Sequence, residues 1–307
     1  MNTMLRFLLF AALITSSILA KAERAFVNHG SLQVHYGVFK PKDTPTVGDI
    51  LFFHGYGDTF ENHIPLFTEW NRIGLRIIAF DFPSHGKSNG FMWNDLDWYS
   101  FQCLAEIANL VRNVTLENSS RPLFLSGWST GGLLAIRIVQ SEKMRALFPP
   151  IRGLVAYAPG VSVRKCVGNL FCHITNDTLT HNDLLQNRTI YPASPLYRVN
   201  FAAKLLVNAQ LSWIQALPSE IPTLVFVAGD EEDRYVKSKD LKSWVSFQRS
   251  EFSAPVFALQ CPGAKHELDN EPNQFGGQQV RSLSAGFIDS LIHGRPLGTV
   301  NGPCREF

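Results

Sequence analysis

Residues 122–139, PLFLSGWSTGGLLAIRIV, place a serine between two apolar segments, with one glycine two residues before it and another two residues after it. An apolar run that passes through Gly-x-Ser-x-Gly into a second apolar run is typical of a strand that turns sharply into a helix. Small neighbours allow that turn and leave the serine hydroxyl exposed at its apex. Ser129 is therefore the candidate nucleophile.

The sequence around this turn alternates short apolar runs with amphipathic ones, which indicates strands connected through helices. The predicted strands cover residues 33–39, 49–53, 76–80, 123–126, 153–157, 223–228 and 255–260. The predicted helices cover residues 99–117, 130–147 and 276–293. This order predicts an α/β fold with a mostly parallel, twisted sheet flanked by helices. The alternation fails at about 160–218, which predicts an insertion there.

A serine hydroxyl is a poor nucleophile near neutral pH, so Ser129 needs a base, and that base needs an anionic partner. We expect both to follow late strands. The run 255–260 is followed by CPGAKHELDNE, which supplies His266. The run 223–228 is followed by GDEEDRYV, which supplies four acids, namely Asp230, Glu231, Glu232 and Asp233.

Among the four acids, Asp233 is favoured over Asp230. Its position leaves room for a loop before the helix that RYVKSKDLKSW begins. The order serine, aspartate, histidine along the chain is the order found where a serine occupies a strand-to-helix turn of this kind.

Acyl transfer also needs backbone N–H groups that stabilise a developing oxyanion. One donor is expected from the residue after the serine, and the other from the loop that follows an earlier strand. The strand 49–53 ends in HGYGDT, so the candidates are the N–H groups of Tyr56 and Thr130. Gly55 and Gly57 would let the backbone approach a substrate closely.

Five motifs together resemble one family. HGYGDT, DFPSHGKSNG, GWSTGG, DEEDRYV and GAKHE resemble the monoglyceride lipase and lysophospholipase branch of the α/β-hydrolases, which has serine aminopeptidase-like members. The likeness extends from about residue 26 to 292. It implies an α/β-hydrolase fold with a cap inserted at about 160–218. It also implies a triad of Ser129, Asp233 and His266, with Tyr56 and Thr130 as oxyanion donors.

The resemblance implies hydrolysis of a carboxylic ester, with a monoacylglycerol or lysophospholipid as the favoured substrate and no metal or organic cofactor. An exported aminopeptidase or amidase is the first alternative. It would need an acid in the cap, where Asp177 and Asp183 are the candidates. A catalytically silent binding protein on the same fold is the second alternative. Apolar cap residues could line an acyl-chain site or contact a membrane surface transiently: Phe171, Leu179, Leu184, Leu185, Tyr191, Leu205, Leu206, Leu211, Trp213 and Ile214.

The first 22 residues have the pattern of a secretory signal. Arg6 precedes the apolar run 7–14, and Ala20 and Ala22 have the spacing that signal peptidase recognises. We therefore predict cleavage near Ala22 and a mature hydrolase domain of residues 23–307, exported to a periplasm or to the medium. Export permits disulfides, and the pair predicted from spacing is the one that brackets CVGNLFC, Cys166 with Cys172.

The charge balance excludes one class of partner. The chain has 28 Lys and Arg residues and 26 Asp and Glu residues, and two of the basic residues lie in the first 22. The mature chain is therefore formally neutral, which gives no electrostatic basis for binding nucleic acid.

Overall fold

The computed structural model describes residues 21–90, 100–118, 120–163, 195–299 and 301–307. These residues form a nine-stranded sheet. Its strands are β1 Lys21–His29, β2 Leu32–Lys40, β3 Gly48–Phe53, β4 Leu75–Phe80, β5 Leu123–Trp128, β6 Ile151–Tyr157, β7 Thr223–Val227, β8 Val256–Gln260 and β9 Arg305–Glu306. The helices are α1 Ile64–Arg72, α2 Ser100–Val114, α3 Thr130–Gln140, α4 Glu142–Arg145, α5 Pro195–Ile214, α6 Ser238–Phe252 and α7 Gly277–His293.

The strand order is β1-β2-β4-β3-β5-β6-β7-β8-β9, which places β5 at the centre. Neighbouring strands from β4 to β8 in this order are parallel. The pairs β1 with β2, β2 with β4, and β8 with β9 are antiparallel. The sheet is thus mostly parallel, as predicted, and the loop after its central strand carries Ser129.

Apolar residues of one strand alternate between the two faces of the sheet, because successive side chains of a strand point in opposite directions. In β3, Leu51 and Phe53 belong to a core with α2, α3 and α6. Ile50 and Phe52 belong to a second core with α1 and α7. Helices therefore cover both faces, which confirms the predicted α/β class.

The structure differs from the sequence prediction at several element ends. The helix predicted at residues 130–147 is divided at Ser141, which is extended (φ −87°, ψ 114°) and whose hydroxyl accepts a bond from Met144 N at 3.4 Å. This side chain caps α4 and ends α3. The strands β1 and β9 and the helices α1 and α5 were not predicted. β9 has two residues, too few for any periodic pattern.

Helix α5 lies in the segment predicted as the cap, whereas residues 164–194 of that segment are outside the described residues. The end of α5 is fixed to the main domain. Trp213 Nε1 donates to Val161 O at 3.1 Å, and Trp244 Nε1 of α6 donates to Ser212 O at 3.0 Å. Leu205 packs beside Gly160, near the turn at Ser129. Within the described ranges, every helix is too short or too polar to serve as a membrane span.

A disulfide joins Cys261, at the end of β8, to Cys304 beside β9. Gln279 of α7 holds the same segment, since its side chain donates to Cys304 O at 3.1 Å and accepts from Cys304 N at 2.8 Å. The predicted pair Cys166 with Cys172 lies outside the described residues. Pairing between distant cysteines cannot be deduced from spacing alone, which is why the sequence did not indicate this bridge.

We expect the double variant Cys261→Ala/Cys304→Ala to lose about 4 kcal/mol of the free energy of unfolding, because the bridge closes a loop of roughly 43 residues in the unfolded chain. Urea unfolding without reductant would measure this loss. Cys103→Ala, at a half-buried position on α2, is the control. Equal losses in the two variants would contradict a stabilising role for the bridge.

Candidate active site

Ser129 lies between β5 and α3 in a backbone conformation that residues other than glycine rarely adopt (φ 55°, ψ −116°). Hydrogen bonds fix it on both sides. Its N–H donates to Tyr157 O at 2.9 Å, and its carbonyl accepts from Leu133 N at 2.9 Å and Gly160 N at 3.0 Å. The strained turn is therefore held by β6, by α3 and by the segment after β6.

The two glycines of Gly-x-Ser-x-Gly are required by contacts of backbone with backbone. A Cβ atom on Gly131 would overlap the carbonyl oxygens of Phe53 and His54, at the end of β3. A Cβ atom on Gly127 would overlap the backbone of Gly131. The motif thus allows the first turn of α3 to lie directly against the neighbouring strand.

Three predicted residues meet at this turn. His266 Nε2 lies 2.8 Å from Ser129 Oγ, and His266 Nδ1 lies 2.9 Å from Asp233 Oδ2. The side chains of His266 and Asp233 are fully buried. The other oxygen of Asp233 accepts bonds from Tyr235 N and Val236 N, both at 2.9 Å. A carboxylate so fixed holds the proton of His266 on Nδ1, which leaves Nε2 free to accept the serine proton.

The other acids of the cluster after β7 point elsewhere. Asp230 is bound by Lys242 Nζ at 2.9 Å and by Gln260 Nε2 at 3.0 Å, close to the surface. Glu231 is exposed, and its N–H donates to the Glu232 carboxylate at 3.2 Å. The carboxylate that the fold brings to His266 is that of Asp233.

Trp128, the residue before Ser129, also positions His266, and the sequence analysis did not indicate this contact. Its Nε1 donates to His266 O at 2.8 Å, and the two rings pack with centroids 5.2 Å apart. The Tyr235 ring lies 5.1 Å from the imidazole. The sequence feature that could have indicated this contact is the tryptophan directly before the serine of Gly-x-Ser-x-Gly, at the end of a buried strand.

The predicted oxyanion donors lie at the same edge of the sheet. Thr130 is the first residue of α3, so no carbonyl of a preceding helical turn can accept its N–H. Tyr56 is buried on the loop after β3. That loop is held by the DFPSHGKS segment, because Gly57 N donates to His85 Nε2 at 2.9 Å and Thr59 Oγ1 donates to Asp81 Oδ1 at 2.6 Å.

A family model described as serine aminopeptidase, S33, matches residues 44–273. The chain belongs to this family. The match confirms the resemblance predicted from the five motifs.

Individual relatives of this S33 family member are distant. The chain is 23% identical over 266 residues to a monoacylglycerol lipase of Mycolicibacterium smegmatis, and the alignment covers 83% of this chain and 93% of that protein. A monoglyceride lipase structure from Saccharomyces cerevisiae has a TM-score of 0.68 and 14% identity, and covers 88% of this chain and 95% of that one. A carboxyl esterase structure from Bacillus coagulans has a TM-score of 0.63 and 17% identity, and covers 89% of this chain and 98% of that one. These likenesses show the α/β-hydrolase fold.

Two buried histidines, both uncharged, hold the loop that carries Tyr56. Burial lowers the pKa of His54, whose Nδ1 donates to Gly55 O at 2.6 Å and whose Nε2 accepts from Phe82 N at 2.9 Å. Burial lowers the pKa of His85 to about 4. His54 of HGYGDT and His85 of DFPSHGKSNG are therefore structural residues in this member of the S33 family.

A third buried histidine, His63, is charged. Its Nε2 lies 2.8 Å from Asp58 Oδ2, and its Nδ1 lies 2.7 Å from Asp269 Oδ2. Burial alone would lower the pKa of His63, but the charges and hydrogen bonds of Asp269 and Asp58 outweigh it and raise the pKa well above its ordinary value. Asp58 follows Tyr56 by two residues, and Asp269 follows His266 by three. This imidazolium therefore ties the loop of Tyr56 to the loop of His266.

Asp58, His63 and Glu267 also form a group of potential metal ligands among the described residues, with ligand atoms within 4.8 Å of one another. Both ring nitrogens of His63 already contact carboxylates, and Glu267 accepts a bond from Asn270 Nδ2 at 2.6 Å. The two ring N–H groups of the imidazolium donate to the two aspartates, and Asn270 donates to Glu267. We therefore describe the group as a buried ion-pair network.

The raised pKa of His63 gives a pH-dependent stability. A group whose pKa is higher in the folded state stabilises fully below its unfolded pKa, about 6.5, and loses that effect as pH rises through the folded pKa. We expect His63→Gln to lower the free energy of unfolding by about 3–5 kcal/mol below pH ~6.5, because two buried carboxylates lose their cation. The difference in the free energy of unfolding between His63→Gln and the unmodified protein should shrink as the pH rises into the alkaline range. Urea unfolding at several pH values would measure it. His293→Gln, at an exposed ion pair, is the control, and a pH-independent difference for His63→Gln would contradict the assignment.

Proposed function

We propose that this protein is a serine hydrolase that cleaves carboxylic esters through an acyl-enzyme on Ser129. The observation that carries the proposal is the continuous relay from Ser129 Oγ through both nitrogens of His266 to the buried carboxylate of Asp233. A serine placed at a strained apex and hydrogen-bonded to a correctly oriented imidazole is an activated nucleophile.

In the first half of the reaction, Ser129 Oγ attacks the ester carbonyl while its proton passes to His266 Nε2. Asp233 stabilises the imidazolium that forms, and the N–H groups of Tyr56 and Thr130 bind the oxyanion. The tetrahedral intermediate then collapses. His266 gives its proton to the leaving alcohol, and the acyl group stays on the serine.

In the second half, water takes the place of the alcohol. His266 Nε2 accepts a proton from the attacking water, and the new tetrahedral intermediate collapses to release the carboxylic acid. The proton returns to Ser129 Oγ. This cycle uses side chains and backbone of the protein and needs no metal or organic cofactor.

A monoacylglycerol or lysophospholipid is the proposed substrate class. Two of the proteins it resembles are a monoacylglycerol lipase and a monoglyceride lipase. Helix α5 leaves large apolar side chains in contact with solvent, since Leu206 is 49% exposed and Ile214 is 71% exposed. We propose that this part of the cap makes transient contact with a membrane surface, where such substrates reside.

We further propose that the protein is exported after cleavage near Ala22. Residues 1–20 lie outside the described residues, and β1 begins at Lys21. Cleavage after Ala22 would leave β1 from Glu23 to His29. The disulfide between Cys261 and Cys304 supports export, because such bonds persist in oxidising compartments.

A serine aminopeptidase or amidase is the second candidate, favoured by the description of the matching family. The same triad can cleave an amide, so the distinction depends on how the cap recognises the substrate. Asp177 and Asp183, the candidate partners of a free amino terminus, lie outside the described residues. Substrate preference must therefore be measured.

A fluorophosphonate probe should label Ser129 stoichiometrically. We expect Ser129→Ala and His266→Ala to lower kcat by a factor of roughly 10⁶, and Asp233→Asn by roughly 10⁴, as in other triads. Asp230→Asn is the matched control, because its carboxylate binds Lys242 away from the relay. Absence of an adduct on Ser129 would favour the silent binding protein, and a larger loss for Asp230→Asn than for Asp233→Asn would overturn the assigned acid.

A substrate panel should separate the ester and peptide hypotheses. We expect kcat/KM to be highest for monoacylglycerols or lysophospholipids and low for aminoacyl amides, since the protein resembles lipases that act on monoacyl glycerides. Release of fatty acid and of amine would be followed with the same enzyme preparation. Preference for substrates with a free amino terminus would replace the lipase proposal with the aminopeptidase one.

A further inference from the structure

A cavity of about 270 Å³ lies where α2, α3, α4 and α5 meet. Its polar lining comes from Gln102, Arg137, Ser141, Lys143, Asn208 and Gln215. Arg137 is eight residues after Ser129 along α3, which is about 12 Å of helix rise. The cavity is thus separate from the relay.

Arg137 is a buried guanidinium without a carboxylate partner among the described residues. It is 3% exposed. One of its terminal nitrogens, Nη1, donates to two neutral side chains, Gln140 Oε1 at 2.9 Å and Gln215 Oε1 at 2.6 Å. Its buried Nε has no hydrogen-bond partner within the described part of the chain. Burial lowers the pKa of Arg137 to about 10, still high enough to keep it charged at neutral pH.

A second buried arginine of the protein shows the usual arrangement. Arg76 is fully buried, and its Nε and Nη2 bind the two oxygens of Asp49 at 2.9 and 2.7 Å. Burying a charge is costly unless an opposite charge and hydrogen bonds compensate it. Arg137 has the burial of Arg76 without the carboxylate, and its side chain lines a cavity.

The rest of the polar lining suits an anion. Lys143 of α4 adds a second cation at an exposed position, and no Asp or Glu lines the cavity among the residues that the structure describes. Gln102, Asn208 and Gln215 are neutral and Ser141 carries a hydroxyl, so the charge of the described lining is positive. A fork of guanidinium N–H groups together with a mobile ammonium is a typical phosphate-binding combination.

We propose that this cavity binds a phosphate group, either inorganic phosphate or the phosphate monoester of a small molecule. The ligand would receive hydrogen bonds from the guanidinium of Arg137 and from Lys143, and would neutralise the buried guanidinium. Because Arg137 belongs to α3 and Asn208 to α5, the bound group would hold the cap helix against the helix that begins after Ser129.

Titration calorimetry and thermal unfolding would test the site, with inorganic phosphate and glycerol phosphate as probes and with acetate and chloride at equal ionic strength as controls. We expect saturable binding of at least one phosphate probe, and a melting temperature that rises with its concentration. Binding of both probes indicates a site for the phosphate group itself. Binding of glycerol phosphate alone indicates an organic phosphate ligand.

Variants make the test specific. Arg137→Met should abolish binding, and Lys143→Gln, at an exposed position, should weaken it about tenfold. Arg145→Gln is the matched control on α4. Arg145 is not one of the residues that line the cavity, and its Nη1 donates to Val139 O. If Arg137→Met does not fold, the ratio of affinities for Lys143→Gln and Arg145→Gln decides.

Three results would overturn the proposal. They are the absence of saturable binding for both phosphate probes, an equal response to acetate, and unchanged affinity in both Arg137→Met and Lys143→Gln. All of these are binding measurements, so they stay informative whether or not the protein cleaves esters.

Discussion

The charged imidazole of His63 between Asp58 and Asp269 is the interaction on which the site most depends. It joins segments 206 residues apart in the sequence. Removing the cation would leave two carboxylates in an interior that solvates them poorly, so the ion pair and the loops it connects are stable only together. The positions of the loop of Tyr56 and of His266 are therefore coupled through one buried charge.

The parallel sheet supplies the second constraint. Ser129, Asp233 and His266 follow β5, β7 and β8, whose carboxyl ends lie at the same edge. The sheet therefore brings these three residues together although they are distant in sequence, and no sequence motif connects them. The backbone at Ser129 is strained, and the hydrogen bonds from β6 and α3 hold it in place.

The sequence predicted the features that depend on local pattern. Apolar runs located the strands from β2 to β8, and Gly-x-Ser-x-Gly located the turn, because both signals occupy a few consecutive residues. Asp233 was also favoured over Asp230 from a local pattern, because its position leaves room for a loop before the following helix. The role of His63 could not be predicted, since nothing in DTFENHIP indicates a partner near residue 269. The Cys261 bridge and the two-residue β9 also depend on contacts between distant segments.

The short strand β9 has a consequence for the edge of the sheet. β9 pairs with β8 at Leu259 and Gln260, and the bridge at Cys304 keeps it there. Without it, the outer side of β8 would offer unpaired backbone groups beside the half-exposed ring of Phe257. Such an edge is a template for strand pairing between molecules. The last seven residues thus cover one end of this edge of β8, a task unrelated to the chemistry of the site.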